Sequence, residues 1–73
     1  MKGSEKLKEF QISMAAARVN AKMTQGDVAR AMKLSKNTIV NWETGKVIPK
    51  PAQFSKYCEV VGIEEDYIIL PTV

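Results

Sequence analysis

Histidine is absent from this chain of 73 residues, and cysteine occurs once, as Cys58. Without imidazole the commonest general base and metal ligand are missing, and a lone thiol with no histidine makes neither a thiol-protease pair nor a zinc site. One cysteine cannot staple the chain to itself either, so the disulfide framework of small secreted domains is excluded and a reducing, cytoplasmic compartment fits best. Long apolar runs are also lacking. Met1 is followed by Lys2, Gly3, Ser4 and Glu5, and no stretch suffices for a signal-peptide core or a membrane span, so the expectation is a soluble protein with no membrane partner. The glycines at 3, 26, 45 and 62 are isolated, which rules out a glycine-rich phosphate loop. Glu64, Glu65 and Asp66 do cluster, but acids at a helix start are explained by the helix dipole. The expectation is that this is not an enzyme and that it uses no metal and no cofactor.

What is present is the composition of one small globular domain. Apolar residues make up 45% and charged residues 26% of the chain, the balance of a folding sequence with barely enough interior for a single core. The net charge of +3 is unevenly spread: residues 1–21 carry +2, residues 22–50 carry +4 and residues 51–73 carry −3. The middle third is therefore a candidate footprint for a polyanion, which the acidic end would repel.

Turn signals divide the chain into short helices, and no strand-like alternation of useful length competes with them. Residues 1–12, with Leu7 and Phe10, form a lead-in or arm. Ser13 is an N-cap candidate ahead of Met14-Ala15-Ala16-Ala17-Arg18-Val19, whose alanines favour a helix. Thr24 opens a second helix over 25–32, with Asp27 at its third position and Val28, Ala29 and Met32 on one apolar face. Ser35 caps a third helix over 36–44, which Gly45 ends. Lys33, Leu34 and Ser35 leave room only for a tight turn that sets these two helices at a steep angle. Pro49 and Pro51 impose an extended connection. Pro51 then suits the first turn of a fourth helix, with Phe54, Tyr57, Cys58 and Val61 inward and Gly62 as its stop. Glu64 through Ile69 are expected to form a short fifth helix before Pro71. The fold class is all-α, a compact bundle of about five short helices.

On the third helix, Ile39 and Trp42 sit three apart and face the core, so Asn37 and Asn41 face outward. Ala29 is small because the second and third helices must approach closely across their short turn. An exposed pair of amides on a short helix flanked by lysines suits the reading of base edges, since asparagine can donate and accept at once on adenine and lysine can meet guanine or phosphate. On the apolar face with Phe54 and Val61, Cys58 reads as a small core residue rather than a reactive thiol.

The run from Thr24-Gln25 through Ala29 to Ser35, Ile39 and Trp42-Glu43 resembles the Cro and lambda-repressor family of helix-turn-helix proteins, the XRE family. The likeness spans roughly residues 13–70 and implies a lambda-repressor-like DNA-binding domain. By that resemblance the third helix is the recognition helix, with Lys36, Asn37, Val40, Asn41 and Thr44 toward the major groove and Val40 offering a surface to a thymine methyl. Gln25 is implied as a phosphate contact that also buttresses a recognition-helix side chain, and Thr38, Lys46 and Lys50 are assigned to the phosphate backbone. Arg18 and Glu43 are implied as a structural pair tying the first helix to the third.

The resemblance implies a transcriptional regulator, a phage-type repressor or Cro, whose partner is a double-stranded DNA operator. A rival reading stays open, in which an exposed Val40 helps grip a cognate phage repressor and the protein is a modulator or antirepressor. Ile63, Tyr67, Ile68, Ile69 and Leu70 either complete the core or form a weak homodimer contact. The chain departs from the family pattern at Lys22 and Lys33, where glycine is usual and positive φ is expected, at a cost of about 1 kcal/mol each. Both lysines add charge beside the candidate DNA face.

Overall fold

The fold is that of a computed structural model, and the residues it describes are 11–70. Of the lead-in, residues 1–10, with Leu7 and Phe10, lie outside the described residues.

The first three helices begin where a side chain takes up one of their free N–H groups, and the fourth begins at a proline. The hydroxyl of Ser13 accepts from the Ala16 amide and starts α1, Met14–Asn20. Thr24 and Asp27 close a reciprocal capping box at the head of α2, Gln25–Met32, the Asp27 amide donating to the Thr24 hydroxyl at 3.0 Å and the Thr24 amide to the Asp27 carboxylate at 2.9 Å. The shorter acid thus does what glutamate does in the usual box. These bonds, the Thr24 amide first and then Arg30, hold the Asp27 carboxyl below its ordinary range. Ser35 caps α3, Lys36–Glu43, and Pro51 opens α4, Pro51–Val61.

Left-handed residues stop the helices. Gly62, with φ 76°, closes α4. Lys22 and Lys33, with φ 60° and 59°, hold the turns before and after α2, the positive φ that the departures from glycine implied. The core gathers between the helices from Met14, Ala17, Val28, Ala29, Ile39, Trp42, Phe54, Tyr57, Cys58, Val61 and Ile68.

The expected fifth helix over 64–69 does not form, and the helix count is four among the described residues. A single 3-10 turn, Glu65–Tyr67, is followed by a strand, β2, Ile68–Ile69, which pairs in parallel with β1, Ile12–Ser13. Ile12 stands opposite Ile68 and Ser13 opposite Ile69, and the Gln11 side chain donates to the Asp66 carbonyl at 3.1 Å. The reason is local. Two adjacent β-branched side chains favour extended backbone, and Leu70, preceding Pro71, is pushed out of helical geometry. The pair alternates accordingly, Ile68 being 3% exposed and Ile69 50% exposed. The apolar cluster at this end is therefore divided: Ile68 completes the core, Ile63 and Tyr67 are half-buried, and Ile69 and Leu70 are exposed.

If Ile68 is a core residue, Ile68→Ala lowers unfolding free energy by about 2–4 kcal/mol, whereas Ile69→Ala stays within about 0.5 kcal/mol. Urea denaturation of the two variants checks this; equal effects would contradict the strand.

Candidate nucleic-acid interface

The position of α3 is set from its inner side. Ile39 is fully buried and Trp42 is 2% exposed, and the indole meets the Tyr57 ring edge-on, with ring centres 6.4 Å apart. Ala29, buried on α2, leaves the room this close crossing needs. Both amides follow to the other side. Asn37 is exposed and Asn41 half-buried, and among the described residues neither side-chain amide takes a hydrogen-bond partner.

At the end of α3, Glu43 fastens the helix to three other elements. Its carboxylate accepts from the Arg18 guanidinium of α1 at 2.8 and 3.1 Å, from the Gln25 side chain of α2 at 3.1 Å and from the Tyr57 hydroxyl of α4 at 2.7 Å. The Arg18 side chain is 14% exposed and that of Glu43 is 3% exposed. A paired carboxylate so far from solvent is stabilising only while its partners remain, since removing one leaves an uncompensated charge. The remaining groups are also used: Arg18 donates to the Met23 carbonyl at 2.9 Å, and the Tyr57 hydroxyl lies 2.8 Å from the Met14 carbonyl. The Arg18 and Glu43 pair is thus formed as the resemblance implied.

Gln25 at the head of α2 buttresses a side chain of α3, as the resemblance implied; the partner, Glu43 at the far end of the helix, was not legible in the sequence. By spacing alone, Tyr57 is one residue of the apolar face of α4. Its hydroxyl was the available signal, because a buried phenol requires a partner and phenylalanine would fill the same space without one.

The remaining candidates lie around this frame. Lys36 is exposed at the first turn of α3, Val40 is half-buried, and Lys46 and Lys50 are exposed in the connection that follows. Thr44 falls one residue beyond the helix expected to include it, and its hydroxyl donates to the Val40 carbonyl at 2.8 Å. Thr38 is half-buried, and its hydroxyl bonds that of Ser35 at 2.9 Å, within the helix cap. The amides of Lys46 and Val47 both donate to the Asn41 carbonyl, which folds the connection back on α3. Arg18, Met23, Thr24, Gln25, Gly26 and Lys36 line an open hollow of about 380 Å³ between the heads of α2 and α3. A larger groove, edged by Glu59, Glu64, Glu65 and Asp66, lies at the end of α4. The hollow is thus edged by the basic side chains of Arg18 and Lys36, and the larger groove by acids.

The helix-turn-helix family model matches residues 14–68. The chain belongs to the Cro/C1-type helix-turn-helix family. That family is one of DNA-binding transcription regulators. No curated protein and no solved structure gives a significant match. Among the described residues of this helix-turn-helix protein, no helix is long and apolar enough to cross a membrane.

Titration of the anchoring groups links this frame to pH. For Glu43, burial opposes the charge, but hydrogen bonds from Arg18, Tyr57 and Gln25 outweigh it and hold the carboxyl below its ordinary 4.5. Burial, and then the Glu43 carboxylate, push the Tyr57 phenol well above its usual range. Burial, with a smaller effect of Glu65, pushes the Cys58 thiol from 9.0 up to about 11. A depressed carboxyl contributes stability that is present above its unfolded value and lost as pH falls through the folded one, whereas a raised thiol or phenol contributes stability that is lost as pH rises. Thermal unfolding should therefore show a plateau between about pH 5 and pH 9, with an acid limb from Glu43 and, to a lesser degree, Asp27, and an alkaline limb from Cys58 and Tyr57. Glu43→Ala should cost about 3 kcal/mol at neutral pH and flatten the acid limb. An unchanged acid limb in that variant would contradict the assignment.

Proposed function

We propose that the protein is a sequence-specific, double-stranded DNA-binding transcription regulator of the Cro/repressor type, with α3 as its recognition helix in the major groove. The reading is carried by one observation: α3 commits Ile39, Trp42 and Glu43 to the interior, while the side chains of Asn37 and Asn41, on its other side, take no hydrogen-bond partner among the described residues.

Asn37 and Asn41 then take the role of reading base edges, Lys36 that of meeting guanine or phosphate, and Val40 that of packing on a thymine methyl. Gln25, Lys46 and Lys50 act at the phosphate backbone. Thr38 and Thr44 are assigned to the same face as lesser contacts, because each hydroxyl already serves the protein's own hydrogen bonding. Two copies on half-sites about one helical turn apart are the usual arrangement for this mode of binding, and exposed Ile69 and Leu70 offer apolar surface for a weak contact between them.

The test is titration of fluorescent duplexes from around the protein's own gene, with and without any repressor encoded beside it. Asn41→Ala should weaken specific binding about 5- to 150-fold, the value of one good bidentate base contact, and leave the salt slope nearly unchanged. Lys36→Ala should reduce that slope if it meets phosphate. Salt-insensitive capture of the neighbouring repressor, lost on Val40→Ala and indifferent to Asn41→Ala, would replace this reading with that of a modulator.

A further inference from the structure

Four described residues have left-handed backbone: Lys22 at φ 60°, Lys33 at 59°, Gly45 at 80° and Gly62 at 76°. Glycine is the unstrained choice at such positions, and asparagine or aspartate the next best. Lysine belongs to neither group. The geometry is nevertheless imposed at both lysines. The Lys22 amide donates to the Val19 carbonyl at 2.9 Å and the Met23 amide to the Arg18 carbonyl at 3.2 Å. On the other side of α2, Lys33 donates to the Arg30 carbonyl at 3.2 Å and Leu34 to the Ala29 carbonyl at 2.9 Å.

The side chains do nothing for the fold that would offset this strain. Both are exposed. The ion pairs among the described residues join Arg18 to Glu43, Arg30 to Asp27 and Lys56 to Glu59, and involve neither lysine. A persistent outlier without folded-state compensation is a pointer to function.

Their placement says which function. Lys22 directly precedes Met23, Thr24 and Gln25, which line the hollow that Arg18 and Lys36 complete. Lys33 stands two residues before the Ser35 cap of α3. In helix-turn-helix docking the recognition helix enters the groove by its N-terminal end while the preceding helix crosses the backbone, so residues in the turns bracketing α2 come beside phosphates. We propose that Lys22 and Lys33 are phosphate-binding residues, kept in strained turns for the charge they bring to the DNA backbone. The inference rests on the DNA-binding reading above and extends it to residues outside α3.

The experiment pairs thermal unfolding with DNA titration across salt concentrations, on the whole chain, using duplex from around its own gene. The variants are Lys22→Gly and Lys33→Gly, singly and together, with Lys22→Arg and Lys33→Arg as controls that keep the charge. Each glycine variant should raise Tm by a few degrees, as strain is relieved. Each should also reduce the slope of log K against log salt by about 0.9, while the arginine variants keep the wild-type slope. Glycine variants with undiminished slope and affinity, beside a wild type whose binding is steeply salt-dependent, would overturn this inference alone; a fall in their Tm would overturn its strain argument. A wild-type protein with no salt-dependent DNA binding would instead overturn the reading on which it rests.

Discussion

The carboxylate of Glu43 is the point at which the four helices are held in mutual register. It sits on the last residue of α3 and accepts from Arg18 of α1, Gln25 of α2 and Tyr57 of α4. A chain of this size has only a small core with which to hold a short helix. Charge-assisted hydrogen bonds add direction to that packing, since they lose most of their strength when angle or distance is wrong. The rotation of α3 about its own axis is thereby determined twice, by Trp42 and Ile39 in the core and by Glu43 at the rim.

Rotation matters because recognition depends on which side chains are left over. A helix with two residues and a carboxylate committed inward has its outward residues chosen by default, at the complementary phase of the helical repeat. Asn37 and Asn41 occupy that phase. The side-chain caps fix where these helices start, and the turn from Lys33 to Ser35 is too short to let α2 and α3 move independently. Beyond α3, the amides of Lys46 and Val47 tie the connection back to the Asn41 carbonyl, so the backbone of Lys46 is held beside the end of α3. Acids edge the groove at the end of α4, whereas Arg18 and Lys36 line the hollow between α2 and α3.

Much of this was legible in the residues because it is local. Ser13, Thr24 and Ser35 announce the helix starts, Pro51 and Gly62 bound α4, and the spacing of Ile39 and Trp42 gives the buried side of α3. The Arg18 and Glu43 pair came from resemblance rather than from spacing. What stayed hidden depends on distance in sequence or on competition between weak local preferences. The pairing of Ile12 with Ile68 joins two-residue strands from opposite ends of the described chain, far too short for period-two alternation to register. Acids in a first turn argued for a helix at Glu64, but Ile68-Ile69 and Leu70 before proline decided against it. Tyr57 reads as one more apolar residue at helical spacing, and only its place opposite Glu43 and Met14 gives the hydroxyl a role.

The most direct measurement of the central claim is an NMR titration of the labelled protein with operator-containing duplex, following side-chain amide resonances. The Asn37 and Asn41 NH2 signals should move most and saturate together with the backbone of Lys36–Glu43, while Glu64, Glu65 and Asp66 remain unperturbed. Asparagine signals unmoved at saturation, or shifts concentrated on the acidic turn, would contradict it.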